Sequence, residues 1–221
     1  VAEAAAGKAA VLELGGNGPV VVMDDADLEL AAEAAVTACF LCAGQSCTAG
    51  ERLLVHRAVR EEFVALLRDR VQRVVLGDPF AESTTMGPLN NDGVADKMDE
   101  HVADALERGA ELVHGGERAD GFPTRLYWQP TVLDGVPANA LVAQEETFGP
   151  VAPVVEIGSL DEAIGLANES PYGLLSAIFT RDLAQGLRYA DEVKTGWVNV
   201  NDSSNYWEAH LPFGGRSGTA S

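Results

Sequence analysis

Two residues in this sequence, a thiol and a carboxylate, stand next to glycine-rich turns and have the types needed for covalent chemistry. Cys47 lies in Gly44-Gln45-Ser46-Cys47-Thr48-Ala49-Gly50, after an apolar helix-like stretch and before a strand-like one. Glu13 lies in Leu12-Glu13-Leu14-Gly15-Gly16, at the end of a strand-like run. A cysteine on a turn is open to an electrophile, and backbone N–H groups at helix ends and turns stabilise developing negative charge. A carboxylate followed by two glycines sits where backbone can approach a ligand closely, so Glu13 is a candidate general base. Residue type alone leaves other readings open. A thiol is by default a packing residue, and a glutamate at a strand end is by default solvated or a helix cap.

The elements that must hold these residues alternate between strand and helix. Apolar runs at 9–14 and 20–23 suit buried strands. Asp24, Asp25 and Asp27 then load a helix N-terminus with negative charge, and Leu28, Ala31, Ala35, Cys39 and Phe40 share one helical face. Leu53-Leu54-Val55 reads as strand. The stretch 58–75 reads as an amphipathic helix with Val59, Phe63, Leu66, Leu67, Val71 and Val74 inward. Further on come a helix over 92–108, a short strand at 111–114, and a strand at 151–157. A helix to Asn168 follows, with Ser159 and Glu162 as a capping box. Then come a strand at 176–180, a helix at 182–192 and a strand at 196–200. This order predicts an α/β fold around a mostly parallel sheet.

The chain has 221 residues and a net charge of −19, with only three lysines, which argues against nucleic acid or an anionic membrane as partner. No apolar run is long enough for a transmembrane helix. Three cysteines, an odd number, fit a reducing, cytoplasmic setting better than a disulfide framework. The chain starts without Met in mid-pattern and stops just after a glycine-rich turn, so it reads as a piece of a longer protein.

Four blocks together resemble the aldehyde dehydrogenase superfamily. They are Glu13-Leu14-Gly15-Gly16, Gly44-Gln45-Ser46-Cys47, Gln144-Glu145-Glu146-Thr147-Phe148-Gly149-Pro150-Val151 and Pro212-Phe213-Gly214-Gly215. Trp197-Val198-Asn199-Val200-Asn201 resembles the family's strand before its substrate loop. Each block alone is weak, but their number, order and spacing are specific. The resemblance implies a three-layer α/β catalytic domain over 17–215. Residues 1–16 would end a coenzyme-binding domain, and 216–221 would begin a further segment.

It also implies oxidation of a small-molecule aldehyde to the acid with NAD or NADP, in a full-length protein that is a homo-oligomer. Carried over residue by residue, Cys47 is the nucleophile and Glu13 the base that hydrolyses the thioester. Leu14, Glu146 and Phe148 are on the cofactor side, with Glu146 holding ribose hydroxyls. Phe213 lines the substrate side, Asn199 supports the local backbone, and the loop 202–207 meets the aldehyde. Thr147 departs from the bulkier apolar residue often found there.

The resemblance further implies that the glycine motif for the pyrophosphate and the oxyanion-hole amide lie upstream, so the 221 residues alone are expected to be poorly active. Two other readings remain at this level: an inactive catalytic-domain fragment, and a thiol hydrolase using a Cys–His pair. Cys39-Phe40-Leu41-Cys42 is a C-x-x-C on a helix-like stretch. With no second pair it predicts packing, not a zinc site.

Overall fold

The computed structural model describes residues 3–8, 12 and 14–216. Among the described residues, seven strands form one sheet: β1 (Gly18–Val22), β2 (Gly50–His56), β3 (Glu111–His114), β4 (Thr131–Asp134), β5 (Val151–Ile157), β6 (Leu175–Phe179) and β7 (Trp197–Val200). Their spatial order is β3-β4-β5-β2-β1-β6-β7, and only the β3–β4 pair is antiparallel. The helices are α1 (Leu28–Phe40), α2 (Arg60–Val71), α3 (Asp92–Glu107), the single turn α4 (Leu141–Gln144), α5 (Leu160–Glu169) and α6 (Leu183–Glu192).

The α/β expectation and its three layers hold. α1 packs on α2, and α5 packs on α6. The crossover from β1 to β2 moves one way across the sheet, whereas that from β5 to β6 moves the other way. Right-handed crossovers therefore place α1 and α5 on opposite faces. With both faces covered, β1 and β6 are buried at every residue, with no alternation between an inner and an outer face.

Most predicted elements stand within a few residues of their expected bounds, and α2 is shorter than predicted at both ends. The sequence reading missed β4 and α4, which are four residues each. The strand expected over 9–14 falls largely outside the described residues.

The predicted cap of α5 is present with a shift. Ser159 Oγ accepts the Glu162 N–H at 3.2 Å, and Glu162 Oε2 accepts the N–H of Gly158, one residue before the cap, at 2.7 Å. Ser159→Ala is expected to cost about 1 kcal/mol, the usual worth of an N-cap hydroxyl. In thermal unfolding this lowers the midpoint by roughly 2–4 °C for a chain of this size. An unchanged midpoint would show that the Glu162–Gly158 bond caps the helix alone.

Candidate active site

Segments 14–17, 45–49 and 145–150 lead into β1, β2 and β5, which are neighbours in the sheet. The site therefore lies on the edge where the parallel strands begin. The common doubly wound arrangement uses the opposite edge, where the strands end.

The cysteine turn begins with an abrupt stop to α1. Leu41 leaves helical geometry (φ −56°, ψ 132°), and Cys42 (φ 54°), Ala43 (φ 56°) and Gly44 (φ 71°) are left-handed. For Cys42 and Ala43 this costs about 1–2 kcal/mol each. Surrounding contacts must impose it, as is common near functional sites. One such contact is at Gly44, where a β-carbon would stand 2.1 Å from the Gly149 carbonyl oxygen. Only glycine lets the turn approach the 145–150 segment so closely.

Polar bonds pin the rest of the turn. Gln45 donates to the Cys42 carbonyl (2.9 Å) and accepts the Asn90 N–H (2.7 Å). Thr48 Oγ1 donates to Asn205 Oδ1 (2.5 Å), and Asn205 Nδ2 donates to the Thr37 and Ala38 carbonyls (2.9 and 3.1 Å). Ser204 Oγ donates to the Thr48 carbonyl at 2.8 Å. The loop after β7 thus straps the cysteine turn to the end of α1. Asn199 supports that loop, as expected, by donating to the Ser203 and Tyr206 carbonyls (2.7 and 2.8 Å).

The second glycine turn lies directly against the first. A β-carbon on Gly16 would stand 2.1 Å from the Cys47 carbonyl oxygen, and one on Gly15 would stand 2.7 Å from Glu146 Oε2. The Gly16 N–H donates to Glu146 Oε1 at 2.7 Å. Leu14, Gly15, Gln45, Ser46, Cys47, Glu146 and Phe148 line one open cleft of about 550 Å³. Leu14 is 48% exposed, while Cys47, Glu146 and Phe148 are half-buried. Partial burial raises the pKa of Glu146 against the lowering effects of the Gly16 bond and Lys97.

Of the residues singled out by sequence, Cys47, Leu14, Glu146 and Phe148 therefore meet in one cleft. Glu13 lies outside the described residues. Phe213 packs instead against Trp207, with ring centroids 5.8 Å apart. The expectation that Cys39 and Cys42 both serve as packing needs correction. Cys39 is buried, donates to the Gly50 carbonyl at 3.0 Å, and has its thiol pKa pushed up by burial. Cys42 is exposed because α1 ends two residues before it.

Each histidine has its own engagement. His101 faces Thr147 Oγ1 at 3.0 Å, His56 the Gly158 carbonyl at 3.1 Å, and His114 the Pro130 carbonyl at 2.8 Å, while His210 lies beside Glu208. Among the described residues, no cluster of His, Cys, Asp or Glu could hold a metal, and no helix is long and apolar enough to cross a membrane.

Several supporting residues were missed. Glu51 and Arg52, adjacent at the start of β2, are 2% and 5% exposed. Glu51 accepts the N–H groups of Thr147 and Phe148. Arg52 donates to the Asn17 carbonyl through Nε and Nη2 (3.2 and 3.0 Å) and to the Leu166 carbonyl through Nη1 (2.9 Å). Asn17 Nδ2 donates to the Glu145 carbonyl at 2.9 Å. Lys97 Nζ donates to the Glu146 carbonyl at 3.1 Å. The signal available in sequence was the pair of charges heading an otherwise apolar strand.

Comparison with known proteins identifies the family. The α-ketoglutaric semialdehyde dehydrogenase of Bacillus subtilis is 37% identical over 95% of this chain and 43% of its own length. The vanillin dehydrogenase of Amycolatopsis is 42% identical over 97% and 43%. Among solved structures, succinate-semialdehyde dehydrogenase from Burkholderia pseudomallei superposes with a TM-score of 0.94 at 37% identity, covering 98% of this chain and 44% of that one. Betaine aldehyde dehydrogenase from Staphylococcus aureus in complex with NAD+ gives a TM-score of 0.90 at 37% identity, covering 96% and 42%. The chain thus spans less than half the length of these relatives. The model of the aldehyde dehydrogenase family matches residues 1–220, nearly every residue present, and the chain belongs to that family.

Proposed function

We propose that the full-length protein oxidises an aldehyde to the carboxylic acid with NAD+ or NADP+, with Cys47 as nucleophile and Glu13 as general base. The observation that carries this reading is the convergence of Cys47, the Gly15–Gly16 turn and Glu146 on one cleft. The cleft suits the ribose and nicotinamide end of such a cofactor. It offers one half-buried carboxylate as acceptor for ribose hydroxyls, with Leu14 and Phe148 as apolar surfaces for a flat ring. When bound, the nicotinamide supplies a hydride acceptor.

In this reading the Cys47 Sγ thiolate bonds to the aldehyde carbon and makes a thiohemiacetal. The Cys47 backbone N–H and an amide from outside this chain hold the oxyanion. Loss of hydride leaves a thioester on Sγ. Glu13 takes a proton from water, and the resulting hydroxide attacks the thioester, which releases acid and thiol. Dividing one hard step into two easier ones is the gain from covalent catalysis. Glu146 orients the ribose, and Phe213 with the 202–207 loop bounds the substrate side. A homo-oligomer in the reducing cytoplasm completes the proposal, a setting in which a catalytic thiol stays reduced.

Glu13→Gln in the full-length protein tests the division of labour. With NAD+ or NADP+ and an aldehyde, the variant is expected to give a burst of reduced cofactor close to one per site, then turnover slowed about 10²–10⁴-fold, the usual worth of a general base. Mass spectrometry should find the acyl group on the Cys47 peptide. Wild-type turnover by Glu13→Gln, or acyl transfer only to coenzyme A with no free acid, would overturn the hydrolytic role.

A further inference from the structure

We propose that Glu51 is a positioning residue for the cofactor side of the cleft, its carboxylate holding the backbone of Thr147 and Phe148 in the conformation that presents Glu146 and Phe148. The ligand's identity rests on the dehydrogenase reading; the positioning itself rests on geometry. Glu51 Oε2 accepts the Thr147 N–H at 2.7 Å and Oε1 accepts the Phe148 N–H at 2.8 Å, both across ninety-six or more residues of sequence. Phe148 has φ 56°, a left-handed conformation that a bulky side chain rarely adopts without being held there.

The strand supplies Glu51 by a local irregularity. Gly18 pairs with Gly50 but Pro19 pairs with Arg52, so Glu51 is the extra residue of a bulge. Pro19 has no N–H to give the ladder at that point. Bulges beside active sites commonly re-aim one side chain, and this one sends a carboxylate to the neighbouring loop.

The groups facing this carboxylate come from four places. They are Cys39 of α1, Arg52 of β2, Lys97 and, beyond Thr147, His101 of α3, and Glu146 of the loop itself. Burial raises the Glu51 pKa to about 8, with Glu146 adding to the rise and the two N–H bonds and Lys97 opposing it. Burial pushes the Cys39 thiol up and the His101 imidazole down. If the loop swings away, Glu51 meets water and returns toward an ordinary carboxylate pKa. The proton is thus held more tightly with the loop in place. By linkage, the closed loop is fully favoured at low pH and loses stability as pH rises through about 8.

The test uses the full-length protein in a Cys47→Ala background, so that the thiol adds no titration. Dissociation constants for NAD+ and NADP+ are measured between pH 6.5 and 9.5, alongside amide exchange of the 144–150 peptide. The expected result is affinity that weakens across pH 8. Adding Glu51→Gln, which keeps only one acceptor, should weaken binding roughly tenfold at pH 7, the scale of one hydrogen bond. It should also remove the pH dependence and speed exchange in 144–150 while β1 and β6 peptides stay protected.

An unchanged affinity in Glu51→Gln, or a retained pH profile, overturns the inference alone. Absence of dinucleotide binding without Glu51→Gln overturns the dehydrogenase reading and takes this inference with it. If Glu51→Gln does not fold, the 144–150 peptide of the Cys47→Ala protein decides. Its protection, corrected for intrinsic exchange, must fall across pH 8, and a constant value overturns the proposal.

Discussion

Replacing Cys47 by Ser in the full-length protein is expected to lower aldehyde oxidation by roughly 10⁴-fold or more, the scale seen when a covalent nucleophile is removed. A serine hydroxyl at this position is protonated at neutral pH and has no neighbouring base assigned to it, so the first bond does not form. Binding of NAD+ is expected to persist, because the ribose contact is assigned to Glu146 on a different segment. Initial rates of reduced-cofactor formation, read beside binding titrations, separate the two effects. Alkylation of the wild type gives a second view. Cys47 is expected to label first, exposed Cys42 more slowly, and Cys39 least, since it is buried and bonded to the Gly50 carbonyl. Substantial oxidation by Cys47→Ser, or fastest labelling at Cys42, would remove Cys47 from the mechanism.

Gly16→Ala is the second large effect. Its β-carbon would stand 2.1 Å from the Cys47 carbonyl oxygen and 3.2 Å from the carbonyl carbon. Both partners are backbone, so neither side can yield by rotating a side chain. The chain must separate by about an ångström, which moves Cys47 relative to Glu146, because Gly16 also donates to that carboxylate. A displacement of that size is expected to cost about 10²-fold in kcat/KM. The overpacking itself is expected to cost about 1–3 kcal/mol of stability.

Gly165→Ala provides the contrast. Gly165 lies on the exposed face of α5, and an added β-carbon meets nothing within 4 Å. That change is expected to stabilise by roughly 0.5–1 kcal/mol through helix propensity, with activity unaltered. Equal effects of the two substitutions on kcat/KM would show that the close approach of the two glycine turns is unimportant.

The residues that converge on the cleft were legible because short-range pattern carries their signals. A thiol between Gly44 and Gly50 announces a turn, and Glu146-Thr147-Phe148-Gly149-Pro150 announces another. Ser159 and Asp27 announce helix starts that the structure confirms, with Asp27 Oδ1 accepting the Leu30 N–H. Charge within an apolar run was read less well. Glu51 and Arg52 look like the polar lead-in to a strand, yet both are buried, because the strand they begin is covered on both faces. His101 looked like one of four scattered histidines, and its pairing with Thr147 spans forty-six residues.

Sequence by itself determined the succession of strands and helices, the turns between them and the residues able to do chemistry. These depend on period, capping and backbone freedom over a few neighbours. Tertiary structure alone decided that β5, β2 and β1 lie side by side, so that three turns far apart in the chain meet at one sheet edge. It also decided that a bulge opposite Pro19 turns Glu51 toward Phe148 while Arg52 reaches Asn17. Strand order and register arise from packing apolar surface across the whole sheet, a constraint that no local window contains.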